Sequence, residues 1–481
     1  SAREHTRVAR KTRRAKLRKW EADWWRGIAE QANRAQRQGD MAELYKCFKS
    51  LRDRSLQKVQ DGRAVSAANL EEERDAWASH FEKVSATPGE VPEEVWERLH
   101  PPREKCTWLG LTPSDLEIEQ CIKAMKTRKA SGKDGFTVEA LKHGGQALRS
   151  KVCEVVRTMW DRAASADGHE EGDDWPAEWR IGLVVPLWKR KGSKRDKNTY
   201  RGICLLSVGS KLLARVVASR LQRWTEGFVH ESQCGNRRGR GVDDVLQVSR
   251  RVVEEVCRLD EDKWFTMSFF DLEKAFPKVC RSALWRLLDR EGCDPRMLKV
   301  CKGLHENTRY AVRVQGGLSR TWLPDRGLRE GCPSSPPLFK VYHNGVMQDF
   351  RARRKEAAAT AGRRPGIRWQ YKVDGRMVKK ATLRQEKEEG SRRDTEETIL
   401  GDFGFADDTG IVGEDEENRV AEGLMEETVG DWAGIVNAGK TERLWMSGVP
   451  RQEMAPRREG ERAVVRQLGG WLAEDGRQDA D

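Results

Sequence analysis

Two short apolar stretches that run into aspartate constrain this chain more than anything else in it. Residues 264–270, Trp-Phe-Thr-Met-Ser-Phe-Phe, end on Asp271, and Phe403-Gly404-Phe405-Ala406 ends on Asp407 and Asp408. Apolar runs of this length, bounded by turn residues, read as buried strands. A carboxylate at the end of a buried strand needs a counter-charge, and a metal ion is one. If the two strands are neighbours, Asp271 and Asp407 converge on one pocket with Asp408 beside them. Hard carboxylate oxygens that leave room for water and phosphate oxygens suit Mg²⁺. Two such ions about 4 Å apart stabilise the attacking and leaving oxygens of a phosphoryl transfer. On spacing alone an Asp-Asp pair such as Asp407-Asp408 is usually only a turn.

The charge is as uneven as the carboxylates are pointed. Over 481 residues Lys plus Arg is 90 and Asp plus Glu is 77, a net +13. Residues 1–20 hold nine basic residues against one acid, and residues 351–393 hold fifteen against five, so the remainder is slightly acidic. Local basicity of this kind favours a polyanion partner. The run from Lys11 to Lys19 suits RNA binding or a nuclear address, and equally a solvated helix. The 11 cysteines are scattered, odd in number and without a C-x-x-C pair, which fits a reduced intracellular chain lacking a structural zinc. The longest apolar stretch, residues 181–188, contains Gly182 and Pro186, so no membrane partner is expected, and no secretory signal follows the Arg-rich start.

Periodicity supplies the rest of the layout. A basic helical extension and linker is expected over 1–105, with Leu70, Trp77, Phe81 and Val84 on one helix face and prolines at 88, 92, 101 and 102 marking a boundary. Thr112-Pro113-Ser114-Asp115 reads as an N-cap followed by Pro at the first helical position. Strands are expected over 180–188 and 264–270, helices over 211–224, 242–257 and 414–432, and a hairpin over 310–322. Further strands are expected over 440–446 and 464–472, and a charged insertion over 351–398.

Several blocks in fixed order then carry a resemblance. Ser131-Gly132-Lys133-Asp134-Gly135 comes first, then Pro186 to Lys191, then Asn198-x-Tyr200-Arg201-Gly202-Ile203-x-Leu205-Leu206-Ser207 with Lys211-Leu212. Gln233-x-Gly235-x-Arg237-x-Gly239-Arg240, Asp271-Leu272-x-Lys274-Ala275-Phe276 and Gly331-Cys332-Pro333-x-Ser335-Pro336-x-Leu338-Phe339 follow. Phe405-Ala406-Asp407-Asp408-Thr409, Asn437-x-x-Lys440-Thr441 and Leu468-Gly469 complete the series. The set resembles the reverse transcriptases of non-LTR (LINE-type) retrotransposons over roughly residues 112 to 475.

The resemblance implies an α+β right-hand polymerase: fingers with part of the palm over 106–260, a palm with an antiparallel sheet over 261–450, and a truncated thumb region over 451–481. It implies RNA-templated DNA synthesis with two Mg²⁺ ions, Mn²⁺ as a substitute, and an RNA template, a DNA primer or target, and deoxynucleotides as partners. Asp271, Asp407 and Asp408 would hold the metals, and Lys440 would assist pyrophosphate departure. Leu272, Phe276, Arg201, Glu330, Gly331 and Ala406 would meet the nucleotide, Phe276 by crowding a 2′-hydroxyl and Arg201 by facing the triphosphate. Gly235 and Arg240 would track the template, and Leu468 with Gly469 the primer. A template contact from the 351–398 insertion is a further expectation. Ordinary alternatives stand beside these roles: Phe276 as core, Arg201 paired with a carboxylate, Lys440 as a solvated strand residue.

The departures from the family pattern fit either a divergent lineage or a decaying element copy. Glu330 stands where the family keeps Gln, Phe405 where it keeps Tyr, Ser334 where Leu is usual and Asn236 where Phe is usual. Pro277 replaces a common second Asp, and Gln467 replaces Tyr. They admit a second reading, an inactive retroelement-derived nucleic-acid-binding remnant. A third, an RNA-templated RNA polymerase, is disfavoured by Phe276. The chain reads as part of a longer polyprotein in which an endonuclease precedes this region, acting in the nucleus after a cytoplasmic RNA-bound phase.

Overall fold

Residues 264–270 are apolar except for Thr266 and Ser268, a composition that belongs in the middle of a sheet. In the computed structural model the strand Trp264–Phe270 is the centre of five, in the order Glu461–Arg462, Glu442–Ser447, Trp264–Phe270, Asp408–Glu414 and Asp402–Phe405. The pairings are antiparallel except that of the short edge strand Glu461–Arg462. The structure describes residues 67–86, 89–165, 175–257, 263–372, 395–447, 461–462, 464–467 and 470–473, with Glu30 and Arg34. The basic run at 1–20, and Leu468 and Gly469, lie outside them.

Alternation along the central strand decides what covers each face. Phe265 and Met267 join Val412, Leu444 and Met446 beneath the helix Val242–Cys257, which contributes Val245, Val252, Val253 and Val256. Thr266 and Ser268 face the helix Asp415–Asp431. There Asn418 Nδ2 donates to Thr266 Oγ1 at 3.1 Å and to Ser268 Oγ at 2.9 Å, so the two polar side chains in a buried strand are satisfied.

A second, four-stranded sheet runs Tyr200–Leu205, Ile181–Trp188, Arg309–Val314, Gly317–Trp322. Its middle pair is parallel, which requires a long crossover, and the helices Val208–Thr225 and Val242–Cys257 and the central strand of the first sheet all lie within it. The helix Ala67–Val84 packs on this sheet with Trp77, Ala78 and Phe81, and the Trp77 and Tyr200 rings meet edge-on at 4.9 Å. The helix Glu93–Arg98 seats Trp96 against Trp432 and pairs Arg98 with Asp349 at 2.6 Å.

Three local expectations differ from what forms. The helix Asp115–Ala124 is capped by Ser114, whose hydroxyl accepts from Glu117 N at 3.2 Å, so the cap falls two residues after Thr112. Residues 464–472 are a hairpin, Val464–Gln467 against Gly470–Ala473, and not one strand. The charged segment 351–398 begins inside a 26-residue helix, Ser335–Thr360, and continues as a hairpin, Ile367–Lys372 with Thr395–Leu400. Arg354 is buried there, donating to Glu417 at 2.7 Å, Gly401 O at 2.7 Å and Val412 O at 2.9 Å. No helix among the described residues is long and apolar enough to cross a membrane.

Candidate active site

The ladder register brings the aspartates together. Phe270 pairs with Thr409, so Asp271, one residue beyond, and Asp408, one residue before, stand level on adjacent strands. Asp407 occupies the turn between Asp402–Phe405 and Asp408–Glu414, and Ala406 beside it has φ +58°. An alanine held in that left-handed region costs about 1 kcal/mol or more and persists only where its surroundings enforce it.

Proximity shows in the proton affinities. Burial pushes the Asp407 carboxyl up, and the Asp271 charge pushes it further. Asp408 rises to about 6, first by burial and then by Asp407 and Asp271. A cluster in which Asp271 raises Asp407, and both raise Asp408, is a site that attracts cations. Among the described residues no three carboxylate, histidine or cysteine side chains gather tightly enough to enclose an ion unaided. Lys440 ion-pairs with Asp271, Asn437 Nδ2 donates to the same oxygen at 3.4 Å, and Asn437 N donates to Asp271 O at 2.9 Å.

Around the carboxylates lies a cationic rim. Arg201, on the strand Tyr200–Leu205, is 61% exposed and its Nε is 3.8 Å from Glu330 Oε2. Burial raises the Glu330 carboxyl, against the opposing pull of Arg201 and Lys189, and Asp407 adds to the rise. Lys189 is lowered by burial and by Arg201. In sequence Lys189 is one residue of the Pro186 to Lys191 block, and its place beside Arg201 and Glu330 comes from the hairpin register, in which Leu187 pairs with Arg201.

The loop carrying Glu330 is clasped to the strand, since Cys204 N donates to Glu330 O at 2.7 Å. Gly331 has φ +109°, and a Cβ there would stand 2.7 Å from Cys204 O, so a side chain is excluded. Leu272 bridges to Val436, and Phe276 stacks on Phe339 at 4.7 Å between centroids.

Gly235 lies behind the turn, where a Cβ would be 2.1 Å from Ala406 N, and Arg240 is paired with Glu231. Gln233 and His343 also stand at this turn. Neither was singled out from sequence, although Gln233 opens the block that contains Gly235.

Two strand-end aspartates level with each other, a third in the turn and a cationic rim above them stand on one α+β framework of mixed helices and sheets. The family model described as reverse transcriptase (RNA-dependent DNA polymerase) matches residues 190–450, and the chain belongs to that family, with relatives of the non-LTR type.

The "Probable RNA-directed DNA polymerase from transposon BS" of Drosophila melanogaster is 25% identical over 308 residues, 62% of this chain and 32% of that protein. The "Probable RNA-directed DNA polymerase from transposon X-element" of the same fly is 28% identical over 244 residues, 50% of this chain and 25% of that one. The "Transposon TX1 uncharacterized 149 kDa protein" of Xenopus laevis is 25% identical over 250 residues, 52% and 18% respectively. The chain thus spans less than a third of the length of these curated relatives.

Proposed function

We propose that this chain is an RNA-directed DNA polymerase of a non-LTR retroelement, with fingers built on the Ile181–Trp188 sheet and a palm on the Trp264–Phe270 sheet. The observation that carries the reading is the Phe270–Thr409 pairing, which sets Asp271 level with Asp408 and beside Asp407. A primer 3′-hydroxyl oxygen forms a bond to the α-phosphorus of a deoxynucleotide, the bond to the β-phosphate oxygen breaks, pyrophosphate leaves and the hydroxyl proton is released. Two Mg²⁺ ions, or Mn²⁺ in their place, held by Asp271, Asp407 and Asp408, would supply charge neutralisation.

The chain's own residues do the positioning. Arg201 and Lys189 offer permanent or near-permanent cations to the triphosphate. Phe276, fixed by Phe339, sets the floor that a ribose 2′-hydroxyl would meet, with Leu272, Ala406 and Gly331 around the nucleotide. Lys440, paired with Asp271, would release a proton toward departing pyrophosphate. RNA template, DNA primer or target, and deoxynucleotides are the partners this reading requires, in a nuclear setting. The inactive-remnant reading is weaker, because the aspartates keep their convergence despite Glu330.

Primer extension on a defined RNA template with deoxynucleotides and Mg²⁺ tests the proposal, comparing the chain with Asp407→Asn. Product from the parent alone supports it. Equal extension by the variant, or none from a folded parent that retains RNA, overturns it.

A further inference from the structure

The strained turn at Ala406 is closed by the Phe405–Asp408 pair of its own hairpin and is held from outside it as well. Residues from elsewhere in the chain reach it: Cys234 N donates to Gly404 O and Gly404 N to Ser232 O, both at 2.9 Å, laying the segment around Gln233 along the strand Asp402–Phe405. From that segment the buried Gln233 side chain projects to the turn. Its Oε1 accepts from Gly235 N at 2.7 Å and from Ala406 N at 2.9 Å. Two N–H donors identify that atom as the oxygen, so Nε2 is the group 3.1 Å from Ala406 O and 3.2 Å from His343 Nδ1.

All four hydrogen-bonding positions of the amide are therefore used, two of them on the backbone of one strained residue. Nε2 has only protons to offer, so His343 Nδ1 accepts, and the imidazole carries its proton on Nε2, 3.1 Å from Thr409 Oγ1. His343 belongs to the helix Ser335–Thr360 and is buried, as is Thr409, the neighbour of Asp408. The chain Ala406–Gln233–His343–Thr409 thus ties both ends of the Asp407-Asp408 turn to one helix.

We infer that Gln233, backed by His343, is a positioning residue for polymerisation: its amide fixes where the turn holds Asp407 and Asp408, without touching substrate. The inference rests on the polymerase reading for its rate consequence, but not for its structural one. Glutamate at this position would accept from both N–H groups yet present oxygen to Ala406 O and His343 Nδ1. Asparagine is one methylene short of reaching the turn, and alanine leaves Ala406 with both its backbone groups unpaired.

The test uses Gln233→Ala, with His343→Asn and His343→Leu as a second pair in case the first folds poorly. In metal-free protein, hydrogen exchange of the 403–409 amides should accelerate in Gln233→Ala while the rest of the sheet is unchanged. Mn²⁺ binding, followed by paramagnetic resonance, should weaken by about tenfold or more, as loss of a ligand-orienting partner does. In extension assays kcat should fall about 100-fold, the scale of a 1 Å misplacement, with KM for deoxynucleotide and affinity for primer–template unchanged. His343→Asn, which keeps an acceptor oxygen near the Nδ1 position, should retain more of kcat than His343→Leu.

Unchanged exchange and unchanged Mn²⁺ affinity in Gln233→Ala would overturn the inference, and so would a kcat that returns to the parent value once corrected for the folded fraction. Should the parent chain make no product at all, the polymerase reading fails, and the exchange and Mn²⁺ comparisons still decide the role of Gln233.

Discussion

Replacing Glu330 with glutamine changes one charge at one place and little else. Glu330 Oε2 is buried with no hydrogen bond and lies 3.8 Å from Arg201 Nε. At that separation two unit charges attract by about 4 kcal/mol in a medium of effective dielectric 20 and by about 1 kcal/mol in water. Arg201 is 61% exposed, so solvent screening places the figure near the lower end, about 1 kcal/mol. An incoming triphosphate must displace this attraction to recruit Arg201, and it also meets the carboxylate's own repulsion.

Glu330→Gln is therefore expected to lower KM for deoxynucleotide by about five- to tenfold, with kcat unchanged. The pH dependence supplies the control. Burial raises the Glu330 carboxyl, so it takes up its proton at a higher pH than a free glutamate would. As pH falls, the parent acquires a neutral carboxylic acid, close in shape to the amide, and the difference in KM narrows. As pH rises the difference opens to its full size. Single-nucleotide incorporation under steady-state conditions from about pH 6 to about pH 8.5 measures both. A KM that does not fall, or a ratio that stays constant with pH, refutes the reasoning.

Two further expectations concern stability. Asp408 rises to about 6 in the folded chain, so its contribution is fully present below the ordinary carboxylate range and is lost as pH rises through 6. In chelator, Asp408→Asn should gain on the parent between about pH 5 and about pH 7.5, by about 1 kcal/mol after discounting a shift of about two units for partial exposure; an equal stability difference at both pH values in denaturant titrations would count against it. Arg354 and Glu417 side chains are 4% and 5% exposed, and Arg354→Ala should cost about 3–5 kcal/mol by leaving Glu417 charged and buried. A urea midpoint change worth less than about 1 kcal/mol would show the pair to be dispensable.

What was legible in the sequence was whatever depends on local pattern. The strand Trp264–Phe270, the hairpin Arg309–Val314 with Gly317–Trp322, and the helix Asp415–Asp431 follow from apolar runs, a Gly-Gly turn and helical spacing. The aspartates were legible because an apolar strand ending in a carboxylate is costly unless the charge is used. The helix Ser335–Thr360 was not, because its arginines look like solvent residues until their partners are known. Arg351 meets Asp402 at 2.6 Å and Arg353 meets Asp349 at 3.1 Å, and no local pattern reveals that Asp402 is near. Gln233 was missed for the same reason: its four partners include two backbone groups of Ala406, a residue distant in sequence.

The interleaving of the two sheets has a consequence for how the chain is made. The strand Ile181–Trp188 pairs in parallel with Arg309–Val314, and Trp264–Phe270, which lies between them in sequence, is itself flanked by Asp408–Glu414 and Glu442–Ser447. Neither sheet is complete until a distant segment has been synthesised, and long-range pairings of this kind make folding slow. A nascent chain ending before residue 447 would expose an unpaired edge of the central strand to its neighbours on the ribosome. Emergence of the strand Glu442–Ser447, rather than of any single lobe, is then what covers the second edge of the central strand.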